Sequence, residues 1–269
     1  NGCAQSISSR LKTIEDPSFC SVYLQPALHT QTAFLKDVVV TYWPNANTIS
    51  PNELTNEIWR EIGALLAMLH SIPCSQSNST STCSVETLLS EVNQKLELCF
   101  GKLTSESDNF LHLVTVAEAW RCIIFADDFS QRIIDIVMGN KTWAHGDFHL
   151  GQIVRVCQDD QESLRLIDID TLSPSAPELD LARPAALFAA GILPGDVWTS
   201  FLDSYWQNRF QLTLDESKFW SSADLLVQVL TVKLAIIAIN RAIDAGLCLE
   251  PTELQIVETC RSIGMKYKN

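Results

Sequence analysis

Between Ala144 and Gln152 the chain reads Ala-His-Gly-Asp-Phe-His-Leu-Gly-Gln, and Ile167-Asp168-Ile169-Asp170 follows downstream. Asp147, Gln152, Asp168 and Asp170 together offer three carboxylates and one amide. Magnesium takes oxygen ligands, usually one or two carboxylates completed by phosphate oxygens and water. Moving a phosphoryl group onto a hydroxyl needs the hydroxyl oriented, the metal held on the phosphates and the developing charge offset. Asp147 and Asp168 have the residue type and the joint spacing for the first two tasks, although an isolated Asp at a strand end is more often a cap or turn former. His149 could offset charge beside the phosphates. His145 reads as a structural residue that holds the loop through hydrogen bonds. Asp180 and Arg183 sit at a helix start, where a carboxylate is favoured without any chemical role.

These residues must be positioned by a loop and a hairpin. Ile153-Val154-Arg155-Val156 and Leu164-Arg165-Leu166-Ile167 read as short strands around a polar turn, Gln158 to Glu162, so the loop from Ala144 ends at a strand. Upstream, Val38 to Trp43 is β-branched and aromatic and predicts a buried strand ended by Pro44. Ser50-Pro51-Asn52-Glu53 predicts a capping box with Pro at the first helical position. The helix behind it places Leu54, Ile58, Ile62, Leu65, Leu66 and Leu69 on one stripe and stops near Pro73, with His70 as its cap. The Ser- and Thr-rich stretch from Cys74 to Ser84 predicts a surface loop. Helices are expected over Val85–Phe100, Phe110–Met138, Leu179–Ala190, Pro194–Gln207, Lys218–Ala245 and Pro251–Met265. Residues 1–37 show little pattern beyond a possible strand or two.

The composition, 46% hydrophobic and 19% charged, is that of a packed globule. A net charge of −13 argues against a nucleic-acid surface and suits a cationic small molecule, or merely solubility. The most apolar stretch, Ser222 to Ala245, is interrupted by Gln228, Lys233, Asn240 and Arg241 and reads as a buried core helix, not a membrane span. The nine cysteines are scattered without a Cys-x-x-Cys pair, which predicts reduced thiols and, with no secretory pattern in the first residues, a cytoplasmic protein.

His145 to Gln152 resembles the catalytic loop of the aminoglycoside phosphotransferase and choline kinase superfamily, a branch of the protein-kinase-like fold. Residues 62–73, ending Leu-His-Ser-Ile-Pro, look like that family's helix after the hinge, and Leu179-Asp180-Leu181-Ala182-Arg183 looks like its Asp-Leu-Ala segment. The resemblance implies an α+β, protein-kinase-like fold. Its mostly helical C-terminal lobe, residues 45–269, would carry the catalytic loop and β-hairpin. A short or truncated N-terminal β lobe would occupy residues 1–44. It further implies an ATP- and magnesium-dependent phosphotransferase acting on a hydroxyl of a small polar molecule. Asp147 would be the catalytic aspartate with His149 beside it. Asp168 and Gln152 (where the family usually has Asn) would hold metal and nucleotide, with Asp170 near metal or acceptor. Tyr42 and Trp43 would lie at the nucleotide-binding hinge, and Asp147, Asp170, Asp180 and Arg183 on the acceptor side. His-Leu-Gly-Gln in place of His-Pro-Gly-Asn is similar to the maltokinase and glucosamine kinase subgroup and implies a sugar or amino sugar acceptor. An aminoglycoside or amino alcohol is the alternative, and a non-catalytic binding protein retaining the helical lobe is the rival. The family's glycine-rich phosphate loop and its Lys have no clear counterpart, since Gly2, Lys12 and Lys36 are the only such residues ahead of Val38.

Overall fold

A computed structural model of the protein describes residues 2–26, 33–35, 38–74, 85–103, 107–158, 161–212 and 215–267. The chain packs as two compact units. The first comprises Asn1–Ser81, Lys141–Pro177 and Thr199–Leu214, and the second Thr82–Asn140, Glu178–Trp198 and Asp215–Asn269. The expected loop at residues 75–84 and Lys36 lie outside the described residues.

The first unit opens with a helix, α1, Gly2–Ile14, inside the stretch 1–37 that shows little pattern beyond a possible strand or two. Its inward residues, Arg10, Leu11 and Ile14, form a stripe too short and too diluted by Ser to stand out as a period. Asp16 ends the helix region by accepting from the Ser18 N–H at 2.9 Å, and a single 3-10 turn, Pro17–Phe19, redirects the chain. Strands β1, Ala33–Leu35, and β2, Val38–Val40, pair antiparallel with Phe34 opposite Val39. The expected strand to Trp43 stops at Val40. Pro44 brings no N–H to a ladder and restricts Trp43, whose indole bonds locally to Thr41 Oγ1 at 2.9 Å.

Strand β3, Asn47–Thr48, joins β5, Ile153–Gln158, and β6, Gln161–Leu166, in an antiparallel sheet of order β3-β5-β6. The expected hairpin is present, and its strands run further than read, to the Gln158–Gln161 pair. The capping box at Ser50 forms only in part. Glu53 Oε2 accepts the Ser50 N–H at 2.8 Å, but its Oε1 is taken by Arg155 of β5 at 2.6 Å, and only a 3-10 turn follows Pro51. Helix α2, Asn56–Ser71, starts instead at Thr55, whose hydroxyl accepts from the Ile58 N–H. The predicted stripe buries Ile62, Leu65, Leu66 and Leu69, joined by Trp59. His70 is not a cap: it is buried, and its Nδ1 meets the Tyr205 hydroxyl at 2.8 Å.

Within the second unit, helices α3, Val85–Lys102, and α4, Phe110–Ile124, pack on α8, Glu216–Ala245, as do α6, Glu178–Ala189, and α9, Pro251–Lys266. Helix α7, Gly195–Phe210, completes the helical set along the chain. The single helix expected over Phe110–Met138 is broken: α4 ends at Ile124, and α5, Phe129–Met138, begins after a tight turn in which Phe129 donates to the Ala126 carbonyl. Asp127 and Asp128, residues of low helix propensity, occupy that turn. Helix α8 is apolar and long enough to cross a bilayer, yet 72% of its apolar window is enclosed in the fold, as a core helix requires. Asp224 on α8 ties three helices together through Arg132 of α5 at 3.2 Å, Gln228 at 2.8 Å and Lys266 of α9 at 3.2 Å.

Two expectations follow from this packing. A Cβ at Gly63 of α2 would collide with the Phe201 carbonyl of α7, a backbone atom that cannot swing away. Gly63→Ala should therefore cost about 1–3 kcal/mol in denaturant unfolding. Burial pushes the Asp224 carboxyl up, but the bonds and charges of Gln228, Lys266 and Arg132 outweigh it and hold the group below its ordinary 3.8. A depressed carboxylate stabilises fully above its unfolded value and loses that contribution as pH falls through the folded one. Asp224→Asn should lower the unfolding midpoint at neutral pH and flatten its fall below about pH 4, measured by thermal melts across pH.

Candidate active site

Strand β4, Thr142–Ala144, pairs with β7, Ser173–Ser175, while β5 pairs with β6. The loop leaving β4 and the segment joining β6 to β7 are therefore forced side by side at the same strand ends. Residues 145–152 and 167–172 face each other there and are stitched together. The enclosed His145 ring donates through Nε2 to the Ile167 carbonyl at 2.9 Å and accepts the Asp147 N–H at Nδ1. Donor and acceptor roles fix this tautomer. Thr171 Oγ1 donates to the His145 carbonyl at 2.7 Å, and the Ile167 N–H donates to the Gln152 carbonyl at 2.9 Å. His145 thus holds the loop, as its type and place suggest.

The chemistry-bearing side chains project from this stitched backbone. Gly146 adopts φ 85°, a left-handed turn open to glycine, and Asp147 follows it half-exposed. His149 Nε2 lies 3.7 Å from Asp147 Oδ2. Its Nδ1 accepts the Gly151 N–H at 3.0 Å, so in the neutral ring the proton sits on Nε2, toward Asp147. That arrangement suits steadying the carboxylate better than the charge-offsetting part expected for His149.

Asp168 is the point of greatest backbone constraint. It sits at φ 64°, a left-handed conformation that non-glycine residues seldom adopt, and one that clusters at functional sites. Its Oδ2 accepts from Gln152 Nε2 at 2.9 Å and its Oδ1 from the Asp170 N–H at 3.0 Å. A carboxylate has about four lone-pair positions, so each oxygen keeps one for a cation. The Asp168 carboxylate beside the Gln152 amide is a donor set of the kind magnesium uses, one or two carboxylates completed by phosphate oxygens and water. Gln152 would have to present Oε1 in place of the Nε2 that now faces Asp168.

The remaining expected residues fall elsewhere. The Asp170 side chain is exposed on the same turn. Tyr42 and Trp43 are exposed at 58% and 37%, in the stretch that leads into β3 and so onto the hairpin. Asp180 and Arg183 belong to the second unit, on α6. Asp180 is fully enclosed in the first turn of that helix, where the dipole favours a carboxylate. Sealed there, it presents no oxygen to a soluble acceptor, and a structural role replaces the expected substrate contact. Lys12 lies on the exposed side of α1, outside any strand. Sequence reasoning missed Arg10 and Tyr23, both buried against the site's backbone, because neither belongs to any motif.

Gly151 gives the loop a sharp test. A Cβ there would stand 2.8 Å from His149 Cε1 and 3.0 Å from Nδ1. Gly151→Ala should push the imidazole out of its cap on the 3-10 turn Leu150–Gln152, seen as a large shift of the His149 ring resonances with little change in melting temperature.

No protein-family model and no curated protein matches the chain. Solved structures do. A choline kinase from Cryptosporidium parvum Iowa II superposes with a TM-score of 0.58 at 11% identity, over 97% of this chain and 76% of that one. An aminoglycoside phosphotransferase from Alicyclobacillus acidocaldarius gives 0.56 at 14%, over 98% and 81%. A spectinomycin phosphotransferase in complex with ADP and spectinomycin gives 0.55 at 14%, over 98% and 82%. At such identities the likeness establishes architecture alone. This chain has the kinase-like α+β fold shared by choline kinases and aminoglycoside phosphotransferases.

Proposed function

We propose that the protein is an ATP- and magnesium-dependent phosphotransferase acting on a hydroxyl of a small polar molecule, most specifically a sugar or amino sugar. The observation that carries this reading is the Gln152–Asp168 contact, 2.9 Å between two segments whose backbones are locked together beside Asp147. Asp147 accepts or orients the acceptor's hydroxyl proton. Asp168 and Gln152 would hold the metal, which when bound draws charge from the phosphates. His149 steadies Asp147, and Tyr42 and Trp43 lie along the nucleotide's side. The ADP complex of the spectinomycin enzyme supports nucleotide use by this fold. The net charge of −13 favours a cationic acceptor, hence the amino sugar. His-Leu-Gly-Gln at 149–152 supports a sugar over the amino alcohols.

The test is a thermal shift with millimolar ATP and magnesium, followed by ATP consumption against sugars, amino sugars, aminoglycosides and amino alcohols. A stabilising shift that needs both ATP and metal is expected, with turnover on the sugar set. No shift sinks the kinase reading, and turnover confined to amino alcohols sinks the sugar assignment. Asp147→Ala should cut turnover by at least about 10²-fold without lowering the melting temperature. Asp168→Ala should instead raise the magnesium needed for half-maximal rate.

A further inference from the structure

Everything described so far about Asp168 concerns its immediate neighbours, but a left-handed non-glycine residue is strained and persists only where its surroundings over-determine it. The additional hold comes from the other end of the sequence. Arg10 of α1 is only 9% exposed, and its Nε donates to the Leu172 carbonyl at 3.0 Å. Leu172 in turn donates to the Ile169 carbonyl at 3.2 Å, closing the turn that follows Asp168. On the near side of Asp168, Leu166 is gripped twice: its N–H donates to the Val22 carbonyl at 2.8 Å and its carbonyl accepts the Leu24 N–H at 2.9 Å. Behind the loop, the buried Tyr23 ring stacks on His145, 6.1 Å between centroids and 18° between planes. The Phe19 ring meets Trp143 of β4 edge-on at 5.5 Å.

We infer that residues 10–24 form an internal brace for the metal-binding turn, and that Arg10 is a positioning residue for Asp168. The inference rests on the proposed phosphotransfer reading. The guanidinium Nε adds a directional bond to the Leu172 carbonyl, four residues past Asp168. With Leu166 held on one side and Leu172 on the other, the backbone between them has little freedom to relax out of φ 64°. The brace thereby keeps both Asp168 oxygens aimed for a cation before any nucleotide arrives.

The test compares Arg10→Met, similar in length but without a donor, with Lys12→Ala on the exposed side of the same helix. Magnesium dependence of turnover and amide exchange over residues 166–172 are both read. Arg10→Met should raise the magnesium needed for half-maximal rate about tenfold or more, the usual effect of losing an outer-shell partner. It should also speed exchange over 168–172 in metal-free protein, with Arg10→Lys recovering part of both losses. Lys12→Ala should change neither. A lowered melting temperature with unchanged magnesium dependence and unchanged exchange would overturn the brace. If Arg10→Met fails to fold, wild-type exchange with magnesium and ATP decides: protection should extend to residues 10–24, and protection confined to 145–172 counts against it. If the wild type responds to no nucleotide at all, the phosphotransfer reading fails. Metal-free exchange of Arg10→Met or Arg10→Lys then still decides whether Arg10 restrains the turn.

Discussion

The left-handed backbone at Asp168 is the constraint around which the first unit is arranged. Its strain of about 1–3 kcal/mol is of the same order as a few hydrogen bonds at about 0.5–1.5 kcal/mol each. The structure supplies several. Ile167 is held through both its N–H and its carbonyl, Asp168 accepts from Gln152 and from the Asp170 N–H, and Thr171 donates to His145. Leu166 and Leu172 are held by the chain's first residues. Together they let a β-sheet end carry a conformation that an isolated turn would abandon.

The same arrangement separates two kinds of polar group. His145 is sealed and fully occupied with backbone partners, so its contribution is rigidity. Asp147, Gln152, Asp168 and Asp170 remain at least partly open to solvent. Burying these carboxylates would have added a desolvation cost. Histidine at position 149 stands between the two sets, with one nitrogen spent on the Gly151 amide and the other turned to Asp147.

Much of this was readable in the residues because it depends on local pattern. The alternation in Ile153–Val156 and Leu164–Ile167 announces the hairpin, and the stripe through Ile62, Leu65 and Leu69 announces α2. The spacing of Asp147, Gln152 and Asp168 marks the site even though none of these residues is unusual alone. The errors have equally physical sources. Ser50 looked like a helix cap, but the Glu53 N–H turns to its carbonyl in a 3-10 turn and Thr55 caps α2 instead. His70 looked like a helix end because its partner, Tyr205, has no local signature. Asp180 looked like an acceptor-side residue because its full burial is a property of the packed unit that no local pattern carries. Arg10 and Tyr23 were invisible for the same reason: their partners are a carbonyl and a ring that only the fold brings near.

The bond from Arg10 to Leu172 spans 162 residues. Closing a loop of that length draws on chain entropy before any contact returns it, and such long-range pairings form late in folding. During synthesis α1 precedes its target carbonyl by 162 residues and must wait for it. Helix α2 and the β5–β6 hairpin can assemble from nearby residues, whereas the turn that carries Asp168 is completed only when α1 meets a segment made much later. Completion of that turn is thereby coupled to the arrival of Leu172. A polypeptide halted before Leu172 would hold the motif residues through Asp170 without the bond that braces their turn.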